Sequence, residues 1–361
     1  MSGFSKVRLA AVAVILLAAM AARAQVISVV HPAPDFPKDT HWLDKAARVP
    51  HHIKGYRGQV LLIDFWEYTC INCIRDFTAL KHWYDKYHPY GLQILGVHFG
   101  EFAMGFSDAN VRRAAQRFRL PWPVVSDVHG AIWKAYGSTV WPNRYLIDQQ
   151  GNVILQIKGE GNDSVMERTI RDLLAKDHPE VKNLPLGADK NAFTPECGVP
   201  TPETYVGNAT RKGAVENQRP LRADGLTDFH ATGEPKDGGV ILGGTWRGAQ
   251  DGAVSGGKDD RAELRYHARS LYAVLSLDNT SKPVRVDVTQ DGKPLDRSDA
   301  GVDVKFDSNG SYIEVKEPRM YYVIKNPALG SHLLTLAPEK RGVTMHSFTF
   351  GNNCQQDFQQ L

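Results

Sequence analysis

Two cysteines separated by two residues, Cys70 and Cys73, follow a strand-like run and open a segment with helical periodicity. The run of residues 60–66 is apolar except at Asp64, a composition typical of a central strand that is buried on both faces. Residues 70–87 then place apolar side chains at helical spacing and end before a proline and a glycine. We therefore expect an α/β layer in which both cysteines lie at the N-terminus of a helix.

This placement gives the two cysteines different expected reactivities. The unpaired backbone N–H groups and the dipole at a helix N-terminus stabilise a thiolate, so we predict a lowered pKa for Cys70 and attack by its sulfur on disulfides. Cys73, one turn inside the helix, is within reach to resolve the mixed disulfide. On spacing alone, a structural disulfide and half of a zinc site remain open alternatives. A zinc site needs two more ligands, and the sequence contains no second C-x-x-C and no H-x-x-x-H, so we predict no metal.

The first residues have the pattern of an export signal. Lys6 and Arg8 precede the uncharged, mostly apolar residues 9–22, and residues 22–24 form an A-x-A cleavage site. In a helix this apolar segment is shorter than the hydrocarbon core of a bilayer, which favours cleavage after Ala24 over a membrane anchor. We expect a periplasmic or secreted protein, in a compartment where disulfides persist. The net charge of +3 gives no reason to propose a nucleic-acid partner.

A length of 361 residues predicts more than one domain. Strand-like and helix-like segments alternate up to residue 179, prolines then accumulate, and short strand-like runs follow with turn signals at 291–292 and 309–310. Within the alternating part, Ser164 and Glu167 have the spacing of a capping box. We predict a signal peptide at residues 1–24, an α/β domain at 25–180, a linker at 181–195 and an all-β sandwich at 196–361.

The residues around the cysteine pair resemble a known family. F-W-x-Y-x-C-I-N-C, present as residues 65–73, is similar to the active site of the TlpA/ResA-like periplasmic thiol-disulfide oxidoreductases, part of the thioredoxin superfamily and its AhpC/TSA-redoxin group. The resemblance extends to the exported thioredoxin-like region of DipZ proteins. Further similar segments are 96–98, 101–102, 136–137, 141–148 and 201–207. The resemblance implies a thioredoxin-like α/β domain followed by a jelly-roll domain like a carbohydrate-binding module.

The resemblance also implies how a substrate meets the cysteine pair. Pro142 is expected to be a cis-proline that faces the cysteines, and Trp141 is expected to present its backbone to an extended substrate. Without the resemblance, a trans turn proline is the ordinary interpretation of Pro142. Ile71 and Asn72, the dipeptide between the cysteines, complete the predicted substrate-binding residues.

Three carboxylates are candidates for moving protons at this site. Asp64 lies six residues before Cys70, which resembles the position of the buried thioredoxin Asp that helps deprotonate the resolving cysteine. The alternative is a strand Asp bonded to backbone. Glu101 resembles the active-site Glu of ResA-like proteins, although residues 98–102 depart from the usual His-Thr-Pro-Glu-Phe, and a solvated loop residue is the alternative. Glu67 is recommended by proximity alone.

The two remaining cysteines, Cys197 and Cys354, bracket the predicted β domain. Four cysteines allow three pairings, and a reactive C-x-x-C pair leaves these two as the natural remainder. Because domain termini often lie close together, we expect a structural disulfide between them. Two unrelated free thiols are the alternative.

The leading hypothesis for function is an exported thiol-disulfide oxidoreductase that uses Cys70 and Cys73, with Asp64 assisting the resolving step, and needs no cofactor beyond its redox-active disulfide. The resemblance implies a reductant of protein disulfides, with cytochrome c maturation as one setting, re-reduced by a separate membrane electron donor. One alternative is a thiol peroxidase of the peroxiredoxin-like group, although the chain lacks P-x-x-x-T-x-x-C around Cys70. Another is a redox domain recruited by a β domain that binds glycan or protein.

Overall fold

The structure is a computed structural model that describes residues 25–43, 49–187, 194–207, 214–278 and 282–355. The predicted signal peptide at residues 1–24 lies outside the described residues. We call residues 25–187 the α/β region and residues 194–355 the β region. In the described part of the chain, no helix is both long enough and apolar enough to span a bilayer.

The α/β region is built on one seven-stranded sheet with helices on its faces. Its elements are β1 (Gln25–Pro32), β2 (His41–Leu43), β3 (Val60–Trp66), α1 (Ile71–Tyr87), β4 (Leu92–His98), α2 (Asp108–Arg117), β5 (Val124–Ser126), α3 (Ala131–Ala135), β6 (Asn143–Ile147), β7 (Asn152–Lys158) and α4 (Asp163–Leu174). The strand order is β1-β7-β6-β3-β4-β5-β2. Strands β3, β4 and β5 run parallel, whereas β6 is antiparallel to β3 and β7. This arrangement confirms the predicted thioredoxin-like α/β fold.

Strand β3 lies at the centre of the sheet, and all seven of its residues are buried. Its side chains alternate between the two faces. Leu62 and Trp66 join the core cluster that contains α1, whereas Ile63 and Phe65 join a cluster on the opposite face. By this alternation Asp64 shares the face of Leu62 and Trp66, the side on which α1 packs.

The predicted capping box needs correction. Ser164 does not cap a helix, because α4 already begins at Asp163, with Asn162 at the N-cap position. The Glu167 carboxylate instead accepts hydrogen bonds from Lys86 Nζ at 2.7 Å and from the Gly187 N–H at 2.7 Å, so it is not available to a capping box. Gly187 falls in the predicted linker, whose first part is therefore packed against the α/β region.

Short 3₁₀ helices occupy several connections, at Ile53–Tyr56, His88–Tyr90, Ala103–Phe106, Pro179–Asn183 and Pro195–Cys197. Among these, Ala103–Phe106 continues directly from the loop that carries Glu101.

The β region is a single eleven-stranded sheet in which the named strands pair antiparallel, which confirms the all-β prediction. Its strands are β8 (Thr204–Tyr205), β9 (Thr227–Phe229), β10 (Val240–Ala249), β11 (Gly252–Ser255), β12 (Arg261–Leu277), β13 (Val284–Gln290), β14 (Lys293–Pro294), β15 (Val304–Asp307), β16 (Gly310–Val315), β17 (Arg319–Pro338) and β18 (Val343–Gly351). The two long strands β12 and β17 pair along most of their length, with register shifts that bend the sheet.

One face of this sheet packs on the α/β region. In the second half of β12 burial no longer alternates, because both faces are covered. Leu271 and Leu275 point into the core of the β region, whereas Tyr272 and Val274 belong to the buried cluster that contains α1 and Cys73. The α/β region and the β region therefore share one hydrophobic cluster.

The disulfide expected between Cys197 and Cys354 is present, with sulfur atoms 1.97 Å apart and Cα atoms 5.1 Å apart. It joins the start of the β region to the segment that follows β18. The prediction that the two cysteines outside the C-x-x-C pair form a disulfide is therefore confirmed.

Candidate active site

The C-x-x-C pair lies where β3 passes into α1. Cys70 is the N-cap residue of α1, and its sulfur accepts a hydrogen bond from the Cys73 N–H at 3.3 Å. Both cysteines are free thiols; Cys70 is partly exposed, whereas Cys73 is 1% exposed. The geometry therefore gives Cys70 the position of an accessible nucleophile and Cys73 that of a second thiol one turn inside.

The expected lowering of the Cys70 pKa is wrong for this structure. Burial raises the pKa of the Cys70 thiol, the hydrogen bonds from Cys73 oppose this rise, and the negative charges of Glu203 and Glu101 add to it. The helix N-terminus does supply a donor, as predicted, but loss of solvent and two nearby carboxylates outweigh it. Glu203 comes from the β region, so its charge was not foreseeable from the sequence around the C-x-x-C.

Asp64 lies beneath this pair, 1% exposed, and neither of its carboxylate oxygens has a hydrogen-bond partner among the described residues. The alternative of a backbone-bonded strand Asp is therefore not what the structure shows. Burial raises the pKa of Asp64 to about 7, with the charge of Arg144 acting against the rise. Burial also raises the pKa of Cys73, and the negative charge of Asp64 raises it further. A buried carboxylate that titrates near neutrality beside a buried thiol can accept that thiol's proton.

Arg144 supplies the positive charge behind Asp64, a residue that sequence reasoning did not single out. It pairs with Asp64 across β6 and β3 and is fully buried. Its guanidinium lies 3.4 Å from Asp76 Oδ2 and 2.9 Å from Asp163 Oδ1. Its position two residues after Pro142 was the available signal, but its partners come from two helices.

The Trp141–Pro142 peptide bond is cis, which confirms that prediction. Trp141 is partly exposed and its ring stacks on Trp133, with centroids 4.6 Å apart, while Phe99 stacks on Trp133 at 4.9 Å. The cis-proline therefore directly follows a cluster of three stacked aromatic rings, those of Trp141, Trp133 and Phe99.

The two residues between the cysteines differ in their exposure to solvent. Ile71 is 3% exposed and belongs to the core cluster, so its predicted contact with substrate does not fit this structure. Asn72 is partly exposed, and its side-chain oxygen accepts a hydrogen bond from Arg75 Nη1 at 3.1 Å. The guanidinium of Arg75 lies over the ring of Tyr272, 5.7 Å from its centroid. The β region therefore reaches the C-x-x-C dipeptide through Arg75.

Glu67 and His98 form a buried pair under the turn that leads to Cys70. Glu67 is fully buried, and its carboxylate accepts from the Thr69 N–H at 2.5 Å. His98 Nε2 lies 3.6 Å from the Glu67 carboxylate and accepts a hydrogen bond from the Tyr68 N–H at 3.3 Å. Glu67 therefore shapes the turn, a role that proximity in sequence did not reveal.

Glu101 is not a solvated loop residue. Its carboxylate Oε1 accepts a hydrogen bond from the hydroxyl of Tyr205 at 2.6 Å, and Tyr205 lies on β8 of the β region, 4% exposed. Tyr205 falls inside the segment 201–207 that resembles the family, but the sequence analysis did not assign that segment a role at the site. In the part of the chain that the structure describes, no cluster of three or more His, Cys, Asp or Glu side chains is arranged to hold a metal ion.

Comparison with known proteins divides the chain in the same way. Residues 29–156 match the model of the AhpC/TSA family, and residues 201–351 match that of a thioredoxin-like C-terminal domain. The protein DipZ of Mycobacterium bovis is 34% identical over 322 residues, which cover 88% of this chain and 43% of DipZ. The chain therefore spans less than half the length of that relative.

Two further relatives cover the α/β region. The thiol-disulfide oxidoreductase ResA of Geobacillus thermodenitrificans is 32% identical over 133 residues, which cover 37% of this chain and 71% of ResA. Among solved structures, the thioredoxin domain of a thiol-disulfide oxidoreductase from Bacteroides vulgatus covers 40% of this chain and 99% of its own, with 20% identity and a TM-score of 0.32.

Proposed function

Because the chain belongs to the ResA-like thiol-disulfide oxidoreductases of the thioredoxin superfamily, we propose that it exchanges protein disulfides through Cys70 and Cys73. The observation that carries the proposal is the arrangement of three groups: a partly exposed thiol at a helix N-terminus, a buried thiol one turn inside, and the unpartnered carboxylate of Asp64 beneath them.

In the proposed reaction the Cys70 thiolate attacks one sulfur of a substrate disulfide. The substrate S–S bond breaks, its second sulfur leaves as a thiolate that takes up a proton, and a mixed disulfide joins Cys70 to the substrate. Cys73 then transfers its proton to Asp64 and attacks the Cys70 sulfur, which releases the first substrate sulfur. Two electrons pass to the substrate, and the Cys70–Cys73 disulfide remains.

We propose that the protein works as a reductant. Strong oxidants of this fold owe their potential to a reduced form that is stabilised as a thiolate. Burial raises the pKa of Cys70 here, and Glu203 and Glu101 add to the rise, so the reduced form lacks that stabilisation. This supports electron flow from the cysteine pair to the substrate.

The family suggests a setting for this reaction. We propose an exported protein whose cleaved signal ends at Ala24, which receives electrons from a membrane donor and reduces protein disulfides, with cytochrome c maturation as the candidate pathway. A glycan or protein ligand of the β region stays a prediction from resemblance. Trp246, the one tryptophan of that region, is fully buried and donates its indole N–H to the Gly243 carbonyl, so it offers no stacking face to a sugar.

The thiol peroxidase remains the second candidate because residues 29–156 match the AhpC/TSA model. In the peroxidatic pattern, proline and threonine precede the cysteine by seven and three residues. Ile63 and Glu67 occupy those positions here, and Glu67 is engaged by Thr69. Consumption of hydrogen peroxide at a rate comparable to reduction of insulin disulfides would favour this candidate.

The roles of the two cysteines are tested by single substitutions. We expect Cys70→Ser to abolish reduction of insulin disulfides and Cys73→Ser to accumulate a mixed disulfide through Cys70, detected by non-reducing electrophoresis and peptide mass mapping. Mixed disulfides that form through Cys73, or insulin reduction that survives Cys70→Ser, would contradict the assignment.

A further inference from the structure

The loop that carries Glu101 has an unusual backbone path. After β4 the chain turns back on itself, and an added Cβ at Gly100 would lie 2.7 Å from the carbonyl carbon of Gly105. Only a pair of glycines permits this approach. The departure of residues 98–102 from the family pattern therefore gives a compact loop that presents residues 101–103 to the β region.

Three contacts from the β region hold this short segment. The Tyr205 hydroxyl donates to Glu101 Oε1 at 2.6 Å, and the Asp251 carboxylate accepts from the Ala103 N–H at 2.6 Å. Between these two hydrogen bonds the buried ring of Phe102 packs against His346, with centroids 5.2 Å apart. Each of the three consecutive residues thus has its own partner on the β region.

The partners are themselves fixed. Asp251 Oδ1 lies 3.2 Å from His346 Nδ1, and Ser276 Oγ lies 2.8 Å from His346 Nε2. Burial would raise the pKa of Asp251, but its hydrogen bonds to His346 and to the Ala103 N–H hold that pKa below the ordinary range. The backbone of Tyr205 pairs with Ser347 across β8 and β18, so the sheet fixes the point from which the Tyr205 side chain extends. The contact surface is therefore pre-organised.

We propose that Tyr205 is a positioning residue of the redox site: the β region, through Tyr205 and the Asp251–His346 pair, holds the Glu101 carboxylate where its negative charge acts on Cys70. The β region is then a working part of the active site. This inference rests on the proposed function, because it assigns Glu101 and Tyr205 to the site of disulfide exchange.

The charges near Cys70 indicate how the position of Glu101 affects the Cys70 thiol. The groups that act on Cys70 are the Cys73 thiol, Glu203 from the β region and Glu101 from the loop, and both carboxylates disfavour its thiolate. Glu101 has this effect only while it is held near the sulfur. Release of Glu101 into solvent should therefore increase the thiolate fraction of Cys70.

The test is the pH dependence of iodoacetamide alkylation of Cys70 in the reduced full-length protein, with the modified residue identified by mass spectrometry. Tyr205→Phe keeps the ring and removes the hydroxyl. Tyr266→Phe is the matched control, because its buried hydroxyl also bonds a side-chain oxygen, that of Gln290, but lies in the core of the β region. We expect the alkylation midpoint to move to lower pH by about half a unit, a roughly threefold change in thiolate fraction, in Tyr205→Phe and to stay unchanged in Tyr266→Phe.

Glu101→Gln keeps the proposal testable if Tyr205→Phe folds poorly. It should move the midpoint in the same direction, and adding Tyr205→Phe to Glu101→Gln should produce no further shift. An unchanged midpoint in Tyr205→Phe, an equal shift in Tyr266→Phe, or additive shifts in the double variant would each overturn the proposal. Failure of the wild type to reduce insulin disulfides would instead count against the proposed function, since alkylation is read without a substrate.

Discussion

Replacing Asp64 with Asn should change both the stability and the chemistry of the protein, in opposite directions. In the unfolded chain this carboxyl loses its proton near pH 3.8, whereas in the folded protein burial holds its pKa at about 7. Between these values the folded state binds the extra proton, so stability falls as pH rises and the loss is complete above the folded pKa. From pH 5 to pH 8 this loss is about 3 kcal/mol, at 1.36 kcal/mol for each pH unit below 7.

The assay is urea denaturation of the reduced proteins at pH 5 and at pH 8. We expect the free energy of unfolding of Asp64→Asn, relative to that of wild type, to be about 3 kcal/mol higher at pH 8 than at pH 5, because only the wild type loses stability over this range. The control is Asp260→Asn, which also removes a buried carboxylate, one that accepts hydrogen bonds from the backbone of Thr245 and Gly256, and so separates an effect specific to Asp64 from the loss of any buried carboxylate. A pH dependence in Asp64→Asn that matches the wild type would refute this account of Asp64.

The same substitution should slow resolution of the mixed disulfide, most clearly below about pH 8, where Cys73 stays protonated without a base. The measurement is the rate of release of a thiol-labelled peptide from Cys70 across pH. Release with an unchanged pH profile would make Asp64 structural and would move the role of base to Glu101, Glu67 or water.

Three further outcomes follow from the structure. The Cys197–Cys354 disulfide should survive mild reductant that opens Cys70–Cys73, and its loss in Cys197→Ser should lower the free energy of unfolding by about 5 kcal/mol, measured by urea denaturation; alkylation of both cysteines in the native protein would contradict this. Arg144→Met should lower the free energy of unfolding by about 3–5 kcal/mol, because it leaves the Asp76 carboxylate buried without its cation; a melting temperature equal to wild type would be the contrary result. Gly100→Ala should move the Cys70 alkylation midpoint as Glu101→Gln does, because the added Cβ displaces the loop; an unmoved midpoint would show that the loop tolerates it.

The sequence predicted the features that depend on the local pattern of residues or on the number of cysteines. The helix start at Cys70 follows from periodicity, and the cis bond at Pro142 follows from family resemblance. The capping box failed because Glu167 meets Lys86, a residue of a different helix, and local spacing carries no information about such a partner. The predicted direction of the Cys70 pKa shift was wrong for the same reason. The helix N-terminus follows from the local sequence, whereas the burial of Cys70 and the charge of Glu203 depend on distant parts of the chain.

The contact between the two regions is the largest feature that the sequence did not predict. A signal was present in β12, where the apolar run that includes Tyr272 and Val274 breaks the alternation expected of a one-sided sheet. That pattern indicates burial on both faces but does not identify the covering surface. The role of Tyr205 depends on that surface, so it becomes visible only when β8 is placed against the loop of Glu101.

The most direct test of the central claim is the equilibrium potential of the Cys70–Cys73 couple. The protein is equilibrated in thiol–disulfide buffers of graded potential, and the fraction of each state is read by alkylation and mass spectrometry while Cys197–Cys354 remains closed. We expect one reversible two-electron transition near the thioredoxin value of about −270 mV, because the Cys70 thiolate is not stabilised in the reduced form. A midpoint near the value of about −120 mV found for a strong oxidant, or a pair that does not interconvert, would contradict the claim that this site is a reductant.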